Sequence, residues 1–305
     1  MNQFPASGRQ DRRTFLKQAA GFGGLLATGG TFLSACSSAG QAAGGSTLRA
    51  AVGVNHPLGV QLYTVRDQLR TDFPGTLERV AEIGYTEFEF AGYGNLTPTQ
   101  VRALLDRLGV TAPSSHLGLN LFRDNLDKTI GDSGVIGHRY LVVPSANGRT
   151  VEGWTELAAD FNRYGEAVRR AGMRFGYHNH AGEFADLGGG TTAYDILLRN
   201  TDPDLVDMEL DIYWAVRGGQ DPVAMFGQSP GRYKLFHVKD MSDRAGAQTM
   251  APVGEGEIDF RSIFENARLA GVEHFFVEHD NAAEGPGGSL ASIATSYRNL
   301  RSLLP

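Results

Sequence analysis

From Pro57 to the end of the chain, short apolar runs alternate with segments of helical periodicity. Leu157, Phe161, Tyr164 and Val168 are spaced by four, three and four residues, which places them on one helix face. The apolar runs have the length and the β-branched or aromatic content of buried strands. They lie at residues 59–65, 87–91, 111–117, 140–144, 174–178, 205–211, 234–237 and 275–278. The pattern predicts eight strands, each followed by a helix.

Two helices have recognisable local signals. Thr97 has the chemistry of an N-cap, Pro98 suits the first helical position, and Gln100 would complete a capping box. The last helix is predicted from four apolar positions, Ile293, Tyr297, Leu300 and Leu304.

Strand–helix alternation implies parallel strands joined by helical crossovers. Eight such units in about 250 residues match the size of a closed (β/α)8 TIM barrel. An open doubly wound sheet would need a glycine-rich turn after its first strand, and residues 61–67 contain no glycine. The sequence therefore predicts an α/β protein whose residues 57–305 form a single TIM barrel.

The composition is that of a soluble globular protein, with 41% apolar and 20% charged residues. The net charge of −6 provides no basic surface for a polyanion, so nucleic acid is excluded as an expected partner. The chain has one cysteine, Cys36, so it cannot form an internal disulfide.

The first residues indicate an export signal. Arg12 and Arg13 resemble a twin-arginine motif, and residues 33–36 resemble a lipoprotein processing box that ends at Cys36. A stray basic pair before a weak transmembrane helix is the alternative, but five glycines interrupt the apolar stretch, and a spanning helix needs ~20 mostly apolar residues. We expect a signal peptide over residues 1–35, lipid on Cys36, and a flexible tether over residues 36–56. The mature protein would be a lipoprotein at the periplasmic or cell surface, in contact with the membrane through its lipid only.

Ligand-type residues gather where the predicted strands end. In a TIM barrel all these ends meet at one face, where chemistry takes place. Clustered carboxylates repel one another, and a divalent cation would neutralise them. Mixed imidazole and carboxylate ligands suit Mn, Co, Zn or Fe more than Ca. The residues concerned are His116, His178, His180, Glu183, Asp211, His237, Lys239 and Glu278.

Three of these residues lie in motifs that resemble the xylose isomerase-like sugar isomerases and epimerases. They are Asp211 in Leu-Asp-Ile-Tyr, His237 in His-Val-Lys-Asp, and Glu278 in Phe-Val-Glu. Residues 253–260 resemble the loop before the seventh helix of that family, and residues 59–64 its first strand. The resemblance implies one divalent transition metal held by Asp211, His237 and Glu278, with His178 as the fourth ligand.

Two positions depart from the family pattern. His178 stands where the family usually has a glutamate that serves as ligand and base, so we predict nearby Glu183 as the principal base, or as a ligand itself. Glu278 is the second candidate for the base. Trp214 stands where many epimerases have a histidine, and it would either stack on a sugar or pack in the core. His116 and Lys239 would orient or polarise the substrate, which Tyr63, His180 and Trp214 would contact.

The predicted reaction is proton abstraction next to the carbonyl of a small carbohydrate. We predict a sugar isomerase or epimerase, which returns the proton to another carbon or to the other face. The alternative is loss of a leaving group, which would resemble the 3-keto-glycoside lyases of this family. An exported enzyme meets unphosphorylated sugars, and no Arg/Lys cluster at the strand ends demands a phosphate.

Two other functions are compatible with parts of this pattern. A non-catalytic sugar-binding lipoprotein would need only the aromatic residues Tyr63, Tyr93, Tyr213 and Trp214. A phosphodiesterase or endonuclease of the same fold is disfavoured by the acidic composition and the few histidine ligands.

Overall fold

Eight parallel strands close into a barrel in the computed structural model, which describes residues 57–304. The strands are Gly59–Gln61 (β1), Glu87–Phe90 (β2), Thr111–His116 (β3), Tyr140–Val143 (β4), Arg174–His178 (β5), Val206–Asp211 (β6), Tyr233–Val238 (β7), Asp240–Ser242 (β8), Thr249–Ala251 (β9) and His274–Val277 (β10). Strands β1 to β7 and β10 form the barrel, while β8 and β9 form an antiparallel hairpin. Strand β1 pairs with both β2 and β10, which closes the ring and confirms the predicted fold.

Helices connect the barrel strands. The α-helices are Arg66–Leu69, Phe73–Ile83, Pro98–Leu108, Leu119–Asp124, Leu126–Ile136, Val151–Arg170, Ala193–Asn200, Ile212–Arg217, Pro222–Gln228, Phe260–Glu265, Ala267–Ala270 and Gly288–Leu303. Short 3-10 segments lie at Leu62–Val65, Ala181–Phe184 and Ala282–Glu284. Within residues 57–304, no helix combines the length and the apolar character needed to cross a bilayer.

The local signals predicted for these helices are confirmed. Thr97 accepts a hydrogen bond from Gln100 N, and the Gln100 side chain accepts one from Thr97 N, which completes the capping box. The four apolar residues predicted on one face of Val151–Arg170 are all buried. The last helix ends at Leu303, so Leu304 follows it directly.

The first strand is shorter than its apolar run predicts. It ends at Gln61, and Leu62–Val65 turns into a 3-10 helix. The reason is a local hydrogen bond, because the Gln61 side-chain oxygen accepts from Tyr63 N at 3.0 Å and competes with the strand ladder. The turn leaves Tyr63 exposed at the carboxyl end of the barrel.

Apolar side chains fill the centre of the barrel. Tyr140, Val142, Leu235 and Phe276 form a cluster separate from the main core. Along β6, apolar residues of the main core alternate with buried acidic residues, as the period of two in a strand requires. The acidic residues Asp207, Glu209 and Asp211 therefore share the inner face.

The two ends of that face differ. Asp207 forms a bidentate pair with Arg174, at 2.5 and 2.6 Å, near the amino ends of the strands. Asp211 lies at the carboxyl end of β6, where the predicted site residues gather. The predicted signal peptide, Cys36 and the tether lie outside the described residues.

Candidate functional site

The ends of the last three barrel strands bring Asp211, His237 and Glu278 together. Asp211 is the cross-strand partner of His237, and Glu278 follows β10 directly. His237 Nδ1 lies 2.6 Å from Glu278 Oε2. All three side chains are buried, and each offers a ligand atom within 4.8 Å of the others. One imidazole and two carboxylates at this spacing are a suitable donor set for a divalent transition metal.

His178, the predicted fourth ligand, lies at the edge of this group. Its Nε2 is 3.6 Å from Asp211 Oδ2, while its Nδ1 is 3.0 Å from Glu209 Oε2. The structure places it in a second group of ligand-type residues, with His116, Glu209 and His237. Burial and the charges of His237 and His116 lower the pKa of His178 well below its ordinary value. A neutral imidazole of this kind can bind a metal at neutral pH.

Two buried glutamates below the strand ends, Glu89 and Glu209, were not predicted as site residues from the sequence. Glu89 accepts hydrogen bonds from Gln61 and Ser114, at 2.8 and 2.5 Å, and its Oε2 lies 2.5 Å from His237 Nε2. Glu209 Oε2 lies 2.6 Å from His116 Nε2. The available signal was a charge in the middle of an apolar strand, two residues before a predicted ligand in the case of Glu209.

The two missed glutamates have opposite pKa shifts. Burial opposes ionisation of Glu89, but the charges of His116 and His237 outweigh it and hold the pKa of Glu89 at about 2. Burial and the negative charge of Glu89 raise the pKa of Glu209 to about 7. Glu89 is therefore ionised at neutral pH, and His237 lies between that carboxylate and Glu278. The two contacts fix the orientation of the His237 ring.

Lys239 places a buried ammonium among three carboxylates. Its Nζ lies 2.9 Å from Asp211 Oδ2, 2.7 Å from Glu278 Oε2 and 2.9 Å from Asp280 Oδ1. Burial opposes the charge, but these carboxylates outweigh it and raise the pKa of Lys239 well above its ordinary value. In the same way, Lys239 and His237 overcome burial and lower the pKa of Glu278.

A cavity of about 510 Å³, here called the rim cavity, opens above these residues. Six of the predicted site residues line it: Tyr63, His116, His178, His180, Lys239 and Glu278. Arg66, Ala91, Gly118, Pro144, Ser145 and Asp280 complete the lining. The cavity has the size and the mixed polar and apolar lining of a small-molecule site.

Glu183 and Trp214 are not among the residues that line the rim cavity. Both carboxylate oxygens of Glu183 are held, because Oε1 accepts from the Tyr177 hydroxyl at 2.7 Å and Oε2 accepts from His180 N at 3.0 Å. Trp214 packs between His180 and Tyr213, with ring centroids 5.6 and 4.9 Å away. Their roles as base and sugar contact stay predictions.

Comparison with known proteins shows which family this chain belongs to. Residues 77–301 match the model that describes the xylose isomerase-like TIM barrel. The chain belongs to this family. The match covers most of the described residues, including every residue of the two ligand groups.

Curated relatives of this xylose isomerase-like barrel include inosose dehydratases. That of Lacticaseibacillus casei is 31% identical over 156 residues, which are 45% of this chain and 51% of the relative. That of Geobacillus kaustophilus is 26% identical over 212 residues, 61% of this chain and 66% of the relative. The chain spans about half the length of the first of these relatives.

Solved structures share the fold. A sugar phosphate isomerase/epimerase from Parabacteroides distasonis is 29% identical, has a TM-score of 0.71, and covers 82% of this chain and 95% of its own. An IolI protein described with a zinc atom has a TM-score of 0.66, covers 81% of this chain and 98% of its own, and is 14% identical. The second likeness shows the fold alone.

The family-like loop over residues 253–260 is held in place by Asp240. The Asp240 carboxylate accepts hydrogen bonds from the backbone N–H groups of Gly254, Gly256 and Ile258, at 2.8 to 3.2 Å. Asp240 follows Lys239 directly in the chain, so the loop is anchored next to a site residue. This role explains the acidic residue that ends the His-Val-Lys-Asp motif.

Proposed function

We propose that this protein is a metal-dependent sugar-modifying enzyme that abstracts the proton next to the carbonyl of an unphosphorylated keto-sugar and then eliminates a leaving group. The observation that supports it most is the buried group Asp211, His237 and Glu278, which meets the rim cavity through Glu278. The sugar would be oriented between this group and the residues of the cavity wall. The structural relative with 29% identity, described as a sugar phosphate isomerase/epimerase, supports a carbohydrate substrate.

Asp211, His237 and Glu278 would hold the metal, with His178 beside them. When bound, the metal supplies positive charge that stabilises the negative charge developing on the substrate oxygens. The zinc atom bound by the IolI protein supports a transition metal, of which Mn, Co, Zn and Fe all suit these donors.

The chain supplies groups that can bind and move protons around the cavity. The Lys239 ammonium offers a fixed positive charge to a substrate oxygen. Burial and the charge of Lys239 lower the pKa of His180, so its imidazole is neutral at pH 7 and can accept a proton. Glu183 holds the backbone of His180, and it remains the predicted principal base, with Glu278 as the second candidate.

Elimination is supported by the curated relatives, whose name describes removal of water from an inosose. Isomerisation or epimerisation is the second candidate, and the name of the Parabacteroides distasonis relative favours it. Both reactions begin with the same proton abstraction, so the residues described above would serve either one.

The test is to incubate the purified, metal-loaded protein in D₂O with ketosugars and with 3-keto-glycosides. We expect deuterium to enter at the carbon next to the carbonyl and an unsaturated elimination product to form from the 3-keto-glycosides, both followed by NMR. A rearranged sugar without an unsaturated product would identify an isomerase or epimerase. Sugar binding without deuterium exchange would contradict the enzyme and support a sugar-binding lipoprotein.

A further inference from the structure

A second cavity, here called the side groove, lies beside the rim cavity. It has a volume of about 290 Å³ and shares Tyr63, Arg66 and Ala91 with the rim cavity. Its remaining lining consists of Leu62, Leu69, Arg70, Phe73, Gly92 and Gly94. The two spaces therefore lie side by side, and the predicted chemistry uses only the rim cavity above Asp211, His237 and Glu278.

The side groove has an apolar floor, and two glycines in its lining leave space above that floor because they have no side chain. Leu69 and Phe73 pack against the main core from its edge, and the Phe73 ring stacks on Phe90 with centroids 6.4 Å apart. A Cβ atom on Gly94 would lie 3.1 Å from the Phe73 ring, and both Gly92 and Gly94 have positive φ angles. Other residues would be strained at these positions and would narrow the groove.

A fixed aromatic wall separates the groove from the rim cavity. The Tyr63 side chain is 44% exposed, and the Arg66 guanidinium lies 4.0 Å from the centre of its ring. Arg66 donates one hydrogen bond to Tyr63 O at 2.9 Å and another to Asp280 O at 2.6 Å. These bonds link the wall to Asp280, whose carboxylate pairs with Lys239. A ring bound in the groove would thus lie at a fixed distance from the reacting sugar.

We propose that the side groove binds an apolar aromatic ring joined to the reacting sugar, so that the substrates are aryl glycosides and not free monosaccharides. This inference rests on the proposed function. The reacting sugar would occupy the rim cavity above the metal group, and the groove adds an apolar compartment that a free sugar would leave empty. The Leu69 and Phe73 side chains offer an apolar surface to a planar ring, with Arg66 and Arg70 beside them in the lining of the groove.

The arrangement also fits the chemistry of elimination. The base removes the proton next to the carbonyl, and the released electron pair forms a carbon–carbon double bond. The bond from the adjacent carbon to the glycosidic oxygen breaks, and that oxygen keeps the electron pair of this bond and takes up the proton that the base removed. The aromatic alcohol is the leaving group, and a groove that holds its ring places the breaking bond beside Tyr63 and Arg66, which line both spaces.

The test compares 4-nitrophenyl 3-keto-glucoside with free 3-keto-glucose in the metal-loaded full chain, with proton abstraction from both followed by deuterium exchange. We expect wild type to favour the aryl substrate in kcat/KM, and Leu69→Ala to lower this preference about tenfold, as loss of apolar pocket contacts does. Phe73→Ala provides a second variant. Leu126→Ala, a half-buried leucine that lines neither cavity, is the matched control and should keep the preference.

A binding measurement separates this inference from the proposed function. The unreactive 4-nitrophenyl glucoside should bind more tightly than glucose by calorimetry, and Leu69→Ala should weaken only the former. Equal binding of the two compounds, or a stronger preference for a disaccharide, would overturn the aromatic occupant. Tight aryl binding without deuterium exchange on either keto substrate would instead contradict the proposed reaction and leave the groove assignment intact.

Discussion

The Lys239 ammonium lies 2.9 Å from Asp211 Oδ2, and both side chains are buried at the carboxyl end of the barrel. The same ammonium reaches Glu278, the other carboxylate of the candidate metal group. Lys239 therefore neutralises part of the negative charge that a bound metal would neutralise. The charge balance of the site depends on both cations.

Replacing Lys239 should destabilise the metal-free protein and increase its dependence on metal. In Lys239→Met, Asp211 and Glu278 lose a buried ion-pair partner, and the expected cost is about 3–5 kcal/mol in the free energy of unfolding. Added zinc should stabilise the variant more than the wild type, because it restores positive charge and binds the folded state only. Urea unfolding with chelator and with zinc measures both effects.

Lys234→Met is the control for that experiment. The Lys234 ammonium pairs with Glu273 at 3.5 Å and is partly exposed. Lys234 lies near the start of β7, whereas Lys239 follows its end. We expect a small loss of stability that zinc does not change. If zinc stabilised Lys239→Met and the wild type equally, Lys239 and the metal would not neutralise the same carboxylates.

The metal should depend on Asp211 and Glu278. Asp211→Asn keeps the side-chain oxygen that caps Ile212–Arg217 through Trp214 N, so it removes a charge and leaves the helix start intact. Elemental analysis of this variant and of Glu278→Ala should show loss of stoichiometric metal. Glu273→Gln, at the other end of the barrel, should retain it. Full metal content in both site variants would refute the assignment.

Glu183 is the predicted base, and its substitution tests this role through turnover and deuterium exchange. If it acts as a base, Glu183→Gln should lower turnover and deuterium exchange by ~10²–10⁴-fold while metal content is unchanged. Tyr177→Phe removes the hydroxyl that donates to Glu183 and leaves the carboxylate in place, so it is the matched control. Near-normal turnover in Glu183→Gln would show that the residue only holds the His180 backbone.

Protein stability should fall in acid because of His138, which is remote from the metal group. Burial lowers the pKa of His138 to about 4, and its ring lies 2.7 Å from Ala112 O and 3.0 Å from the Tyr93 hydroxyl. The unfolded chain binds the proton below about pH 6.5, whereas the folded protein binds it only near pH 4. Buried neutral His138 therefore contributes its full stability above pH 6.5. As the pH falls to 4, the free energy of unfolding decreases by about 3 kcal/mol because of this residue.

The variant His138→Gln removes the titrating imidazole and so tests this pH dependence of stability. Chemical unfolding should be measured for both proteins from pH 7 to pH 4. Over this range the free energy of unfolding of the wild type should fall by about 3 kcal/mol more than that of the variant. Tyr93→Phe keeps the imidazole and should retain most of the pH dependence. Parallel curves for wild type and His138→Gln would disprove the assignment.

We propose that the chain is exported and anchored through Cys36. Cys36→Ser should release the protein from the membrane or block its processing, because the acyl chains that hold a lipoprotein contribute about 0.8 kcal/mol per buried CH₂ group. Replacing Arg12 and Arg13 with lysine should block export. Cell fractionation measures both, and unchanged membrane partitioning of Cys36→Ser would rule out the lipid anchor.

The sequence by itself determined the barrel and part of the site. Strand and helix periodicity is local, so the order of eight strands and the capping box at Thr97 could be predicted from neighbouring residues. The topology places all strand ends on one face, and the resemblance to the xylose isomerase-like family selected Asp211, His237 and Glu278 among the residues there.

The tertiary structure alone decided which side chains meet below and beside that face. Glu89 and His237 are separated by 148 positions in the chain, and Lys239 and Asp280 by 41. The side groove depends on the early end of β1, which a single Gln61 hydrogen bond produces. A strand pattern shows which face a residue occupies, but the register of barrel closure sets its depth and its neighbours, and those contacts determine every pKa and cavity described above.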